Sequence, residues 1–181
     1  NYVNSTNTRF INAPRIRAKP VIDNNIFDSC TLNDKYFIYI LHNQDEIEFN
    51  NDTFSNIINR GTGASTCGGL TANVERSGSK FTFKYTNCHF INIRNEHSNQ
   101  PSSQGGAIQY FSNDNVEVDF EITNCEFNNN KAYLHGGAIS LRTSGRVSIT
   151  GCTFESNEAN SRSSSSKLLF NNYYDQKNQG N

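Results

Sequence analysis

A short motif returns along this chain at uneven intervals, and any fold it adopts must give the copies equivalent surroundings. Three tetrads share one form: Asn87-Cys88-His89-Phe90, Asn124-Cys125-Glu126-Phe127 and Gly151-Cys152-Thr153-Phe154. Two weaker copies precede them, Ser29-Cys30-Thr31-Leu32 and Asn51-Asp52-Thr53-Phe54, the second with Asp in place of Cys. Successive Cys positions (30, 52, 88, 125, 152) stand 22, 36, 37 and 27 residues apart. A constant core at a variable period describes one structural unit that carries insertions.

The residues leading into each tetrad alternate. Three before the Cys position lie Phe27, Phe49, Tyr85, Ile122 and Ile149; five before it lie Ile47, Phe83, Phe120 and Val147, with Asn25 as the exception. Such a period of two predicts a strand with one face buried. The Cys and the Phe two residues later form a second alternating pair. The two inward sets are an odd number of residues apart, so the chain must bend between them. Asn51, Asn87 and Asn124 occupy that corner, with Gly151 in the last copy, residue types that tolerate a left-handed backbone. A third strand follows the glycine pairs Gly68-Gly69, Gly105-Gly106 and Gly136-Gly137. Three strands per unit without helical periodicity predict an all-β solenoid, a single-stranded parallel β-helix of about five coils stacked about 4.8 Å apart. Residues 1–181 read as a single such domain or a fragment of a longer one, and 160–181, with the serine-rich run from Ser161 to Ser166, as a partial coil or tail. Leu168-Leu169-Phe170 is expected to start another strand.

Composition narrows the partners. Only 18% of residues are charged and the net charge is −1, so the electrostatic attraction needed for non-specific binding to nucleic acid or an anionic membrane is lacking. The longest apolar run, Tyr36 to Leu41, is far below the roughly 18 residues that cross a bilayer. Membrane association is expected only through regions outside this chain, which begins at Asn1 and has no Met, as a processed product or fragment would. Instead of charge the chain uses 29 Asn and 19 Ser, with 13 Phe and 8 Tyr to supply core bulk.

Gly-Gly-Ala-Ile (Gly105 to Ile108, Gly136 to Ile139) followed by Phe-x-x-Asn (Phe127 to Asn130, Phe154 to Asn157, then Ala132 or Ala159) resembles the repeat signature of the chlamydial polymorphic membrane proteins and of similar protist surface proteins. The resemblance covers residues 67–159 well and 1–66 weakly, and departs where Phe90 is followed by Ile93 instead of Asn. It implies a right-handed parallel β-helix at the cell surface or outside the cell, a non-catalytic display or adhesion scaffold whose partner is a host-cell or extracellular protein or glycan. Because parallel β-helices of the pectin-lyase type also house polysaccharide lyases, a carbohydrate-active or carbohydrate-binding protein is the rival reading. An architectural component of a larger assembly is a third.

No catalytic, cofactor or metal constellation is assigned from the sequence. Cys88, Cys125 and Cys152 share one inward position and are expected to stack as free thiols; a Cys30–Cys67 disulfide and a metal site are the alternatives. Alternation turns His89 outward if Cys88 points in, against a Cys/His nucleophile. Glu48, Lys84, Asp119, Glu121, Glu126 and Glu155 are outward positions; Asp119, Glu121 and Glu126, close to Lys84, are the only carboxylates that approach a lyase-like set, and a solvated polar face is the expectation for them. Recognition is expected in the long insertion between Phe90 and Gly105, with Arg94, Glu96, His97 and Asn99 as its polar residues. Asn4 and Asn51 head the glycosylation sequons Asn4-Ser5-Thr6 and Asn51-Asp52-Thr53.

Overall fold

The computed structural model describes residues 2–3, 11–13, 19–32, 38–40, 46–60, 70–74, 80–96, 105–111, 117–132, 135–159 and 168–172. Every described element is a strand, and every pairing is parallel. Four sheets result. The first stacks Val21–Asp23, Glu46–Asn50, Lys80–Thr86, Glu117–Thr123 and Val147–Thr150. The second stacks Tyr2–Val3, Ile26–Asp28, Thr53–Ser55, His89–Ile91, Glu126–Asn128 and Thr153–Glu155. The third consists of the two-residue strands Thr31–Leu32, Ile58–Asn59, Arg94–Asn95, Lys131–Ala132 and Glu158–Ala159. The fourth stacks Ile11–Ala13, Ile38–Ile40, Leu70–Val74, Ile108–Phe111, Ile139–Thr143 and Leu168–Asn172. From Val21 onward the chain visits the sheets in this order and then repeats the circuit. The architecture is therefore all-β with parallel stacked sheets, consistent with a parallel β-helix. Each circuit has four strands, one more than the repeat predicts, because the segment after Phe-x-x-Asn is a strand of its own.

Register is constant and places like residues over one another. Phe27, Phe54, Phe90, Phe127 and Phe154 pair in sequence, with ring centroids 4.8, 5.1, 4.6 and 4.8 Å apart and planes within 13° of parallel. In the first sheet Phe49 stacks on Tyr85 at 5.0 Å and Phe83 on Phe120 at 5.2 Å. The two columns meet edge-on across the bend, Tyr85 to Phe90 at 5.6 Å and 70°. Burying one such side chain is worth about 1.5–3 kcal/mol, and each stacked pair adds about 0.5–1.5 kcal/mol, so these columns are the main cohesive element of the core.

The same register corrects one alignment. Ile26 pairs with Thr53, so the residue that occupies the Asp52, Cys88, Cys125 and Cys152 position in the preceding circuit is Asn25, not Cys30. Cys30 is instead equivalent to Ile57, Ile93, Asn130 and Asn157 at the next bend. The first interval thus becomes 27 residues, and Ile22, which pairs with Phe49, takes the place assigned to Phe27.

Two corners per circuit use the left-handed backbone. Asn24, Asn51, Asn87 and Asn124 have φ of 52–56°, with Gly151 at 65°. A Cβ on Gly151 would lie 2.3 Å from Asn124 Oδ1, so glycine there answers both conformation and space. Ser29, Asn56, Asn92, Asn129 and Ser156 form a second corner five residues later, with φ of 52–55°. Buried asparagines finish that bend from inside: Asn130 Nδ2 donates to Phe90 O and Asn157 Nδ2 to Phe127 O, both at 2.9 Å, while Asn157 Oδ1 accepts the Asn130 backbone N–H at 3.0 Å. These bonds satisfy peptide groups that the bend removes from the sheet ladders. The pairs Gly105-Gly106 and Gly136-Gly137 turn into the fourth sheet as expected, while Gly68-Gly69 lies outside the described residues: a Cβ on Gly106 would lie 1.9 Å from Gly137 O, so these stacked turns close only without side chains.

Removing one ring from the column should cost far more than removing its outward neighbour. Phe127→Ala is expected to destabilise the protein by about 3–5 kcal/mol. Glu126→Ala is expected to stay within about 1 kcal/mol, as for a surface ion pair. Paired denaturant titrations measure both, and equal losses would contradict the register.

Candidate functional site

Ionisable side chains concentrate on the outer face of the first sheet, where strand alternation points them away from the aromatic core. Lys80 Nζ lies 2.9 Å from Glu117 Oε1 and 3.0 Å from Asp119 Oδ2. Lys84 Nζ lies 2.9 Å from Glu46 Oε2 and 3.8 Å from Glu121 Oε2. Arg146 reaches Glu121 at 3.6 Å and Asp119 at 3.9 Å, and Lys19 reaches Glu46 at 3.8 Å. Of these pairs, all join side chains of different circuits. The hydrogen bond to Glu117, followed by that to Asp119, holds the Lys80 pKa above the ordinary lysine value, and the hydrogen bond to Glu46 does the same for Lys84. Both are thereby fixed as cations, the opposite of the tuning a lysine base requires.

Asp119 departs from the solvated position expected of it. Its side chain is 2% exposed although it faces outward. The turn through Gly145 covers it, and the Arg146 backbone N–H donates to Asp119 Oδ1 at 2.7 Å. A Cβ on Gly145 would lie 2.3 Å from Val118 O and 2.7 Å from Asp119 Oδ1, so this turn lies directly against the strand. Asp119 therefore holds the entry to Val147–Thr150. Glu121 stands nearby on the same face, but Glu126 belongs to the second sheet, where its Oε2 lies 2.9 Å from His89 Nδ1. The three carboxylates and Lys84 are consequently not one group. His89 is half-exposed and points outward while Cys88 is buried, as alternation requires.

The inward thiols do form a column. The Cys88 backbone N–H donates to Cys125 Sγ at 3.4 Å, and the Cys125 N–H to Cys152 Sγ at 3.3 Å. Each thiol in turn has two carbonyls within reach of its single S–H: Thr86 O and Phe49 O for Cys88, Thr123 O and Tyr85 O for Cys125, Thr150 O and Ile122 O for Cys152, all within 3.3–3.5 Å. The hydrogen bond with Cys125 and burial push the Cys88 thiol up, and burial does the same to Cys152. The hydrogen bond with Cys88 lowers the Cys125 thiol instead, but that thiol is buried, as is Cys88, and burial limits reagent access to both; Cys152 is half-buried. Cys30 is buried, and Cys67, its partner in the alternative disulfide pairing, lies outside the described residues.

The expected recognition residues separate. Arg94 lies within a third-sheet strand, its Nε donating to Asn92 Oδ1 at 3.0 Å. Glu96 follows that strand and accepts from Arg60 Nε at 3.0 Å. Both belong to the stack and not to the insertion. His97 and Asn99 lie outside the described residues, as does Asn4. Asn51 sits at the first corner, its Nδ2 3.2 Å from Asp23 Oδ1, and its own Oδ1 accepts from Asn87 Nδ2 at 3.3 Å. A glycan on that amide would interrupt the ladder. Sequence reasoning missed the carboxylates of Asp23 and Asp28, which accept from the two corner ladders: Asn50 and Asn51 donate to Asp23, and Ser55 and Asn56 to Asp28.

No protein-family model, curated protein or solved structure matches the chain, so the likeness to polymorphic membrane proteins rests on the motifs alone.

Native protein should react slowly with a thiol reagent at Cys88 and Cys125 and sooner at half-buried Cys152, then label at all three on unfolding without reductant. Peptide-resolved labelling checks this, and rapid native reaction at Cys88 would contradict the thiol column.

Proposed function

We propose that this chain is a right-handed parallel β-helix of about five coils that acts as a non-catalytic scaffold, displayed at a cell surface or secreted, presenting insertions between coils to a protein or glycan partner. Right-handedness follows from the strong preference of parallel crossovers for that hand. The observation that carries the reading is the direction of the outer ion pairs. Lys80, Lys84, Arg146, Arg60 and Lys131 each reach a carboxylate in a neighbouring circuit, so the outer charges stitch one layer to the next. A surface built this way is rigid and layered, and its variable parts are the connections between strands, which is where recognition concentrates on rigid scaffolds.

A second reading has an observation of its own. Asp119, Glu121, Lys80, Lys84 and Arg146 share one outer face, a combination that a carbohydrate-active β-helix would use. The raised lysine pKa values and the structural engagement of Asp119 weigh against a role as acid or base.

One experiment separates the two. Shortening the insertion after Glu96 to the length of the later connection should preserve the β-type circular dichroism and cooperative melt while weakening attachment to cells or immobilised glycans. Undiminished attachment would place recognition elsewhere. Appearance of unsaturated products from an acidic polysaccharide, abolished by Glu121→Gln, would establish the enzyme reading instead.

A further inference from the structure

Asp52 is the one acid in the thiol column, and the column defines what its side chain must do. At this position each residue accepts a hydrogen bond from the equivalent backbone N–H of the preceding circuit. Cys125 and Cys152 do so with sulfur, and Asp52 does so with Oδ1, which accepts the Asn25 N–H at 2.7 Å and Asn25 Nδ2 at 3.1 Å. Each cysteine also has a single S–H to donate, with the carbonyl two residues earlier and one in the preceding circuit as its acceptors in reach. The matching carbonyls for Asp52 are those of Asn50 and Ile22. Asp52 is fully buried, and its Oδ2 receives no hydrogen bond. A carboxylate can only accept, whereas a carboxylic acid accepts through one oxygen and donates through the other, as a thiol does.

We infer that Asp52 is carried as a neutral carboxylic acid whose Oδ2–H donates to a backbone carbonyl of the column, which makes the seam between the circuit containing Asn25 and the rest of the stack dependent on pH. Loss of that proton to solvent leaves a buried carboxylate whose Oδ2 receives no hydrogen bond, with no ion pair to a cation among the described residues. The ionisable groups that face it are Asp23 from the preceding circuit and Cys88 from the following one, and His89 is turned outward to Glu126. Neither Asp23 nor Cys88 would stabilise a second negative charge. Burial is the largest influence on the Asp52 pKa and raises it, Asp23 adds to the rise, and the hydrogen bonds with Asn25 and the Asn50 backbone offset it only in part.

The direction of the pH effect follows from the raised folded-state value. Stabilisation by the acid is fully present below the unfolded pKa of 3.8 and is lost as pH rises through the folded value. Between those values the equilibrium constant for holding the seam closed falls about tenfold per pH unit. Two measurements on the whole chain test this. In a carbon-detected NMR titration the Asp52 side-chain carboxyl should titrate above 3.8, and amide-exchange protection at Asn25 and Thr53 should fall with rising pH. Asp52→Cys installs the group used in the next three circuits, and Asp52→Asn matches Asn25; either should remove the pH dependence of protection and equal or exceed the parent's protection at neutral pH. Titration of Asp52 at or below 3.8, or an unchanged pH dependence in both variants, would overturn the inference.

Discussion

Parallel pairing at constant register sets every residue over its equivalent, and the rest of the structure is a response to that constraint. Stacking like on like is favourable for flat, apolar groups, hence the unbroken column from Phe27 to Phe154. It is unfavourable for like charges, and the outer columns change sign from one circuit to the next. Glu48 pairs with Lys84 and Lys84 with Glu121, Lys80 with Glu117, His89 with Glu126, and Lys131 with Glu158. Where two cations do adjoin, Arg94 beside Lys131, the arginine turns to Asn92 and the lysine to Glu158. An unmatched charge in such a column would stand against a like charge less than 5 Å away in the sheet, which the described pairings largely avoid.

The abundance of asparagine has a comparable cause. Each circuit needs two corners with positive φ, where asparagine is among the few non-glycine residues that are tolerated, and the exposed amides at those corners bond to one another along the stack. Asn130 and Asn157 serve a third purpose by supplying hydrogen bonds to peptide groups inside the bend. Asparagine thus does for the bends what phenylalanine does for the faces. Ile93 and Ile57 hold the same inner position without an amide of their own, and Ile93 receives its backbone acceptor from Asn130 in the next circuit.

Most of the fold was legible because strand periodicity and the tetrads are strong local signals. From Asn51 onward the first corner, the inward thiols Cys88, Cys125 and Cys152, and the turns at Gly105-Gly106 and Gly136-Gly137 are where the residues place them. The Cys30 misplacement came from matching Thr31-Leu32 with Thr53-Phe54, which share an outward Thr and an inward apolar residue. Asn25, the exception in the alternation, was the sign of the slip, for it is the true equivalent of Asp52. The second corner left a signal that went unread: Asn51 and Asn56, Asn87 and Asn92, and Asn124 and Asn129 are each five residues apart. The third-sheet strands have only two residues, too few to display a period. Burial of Asp119 was not legible at all, because it depends on a turn from the next circuit closing over it.

The central claim is the register itself, and cross-strand nuclear Overhauser effects measure it directly. The register predicts an unbroken chain of ring-to-ring contacts from Phe27 through Phe54, Phe90 and Phe127 to Phe154, with the Asn25 amide close to Asp52. Contacts linking Cys30 to Asp52, or the paired Hα–Hα contacts of antiparallel strands, would contradict it.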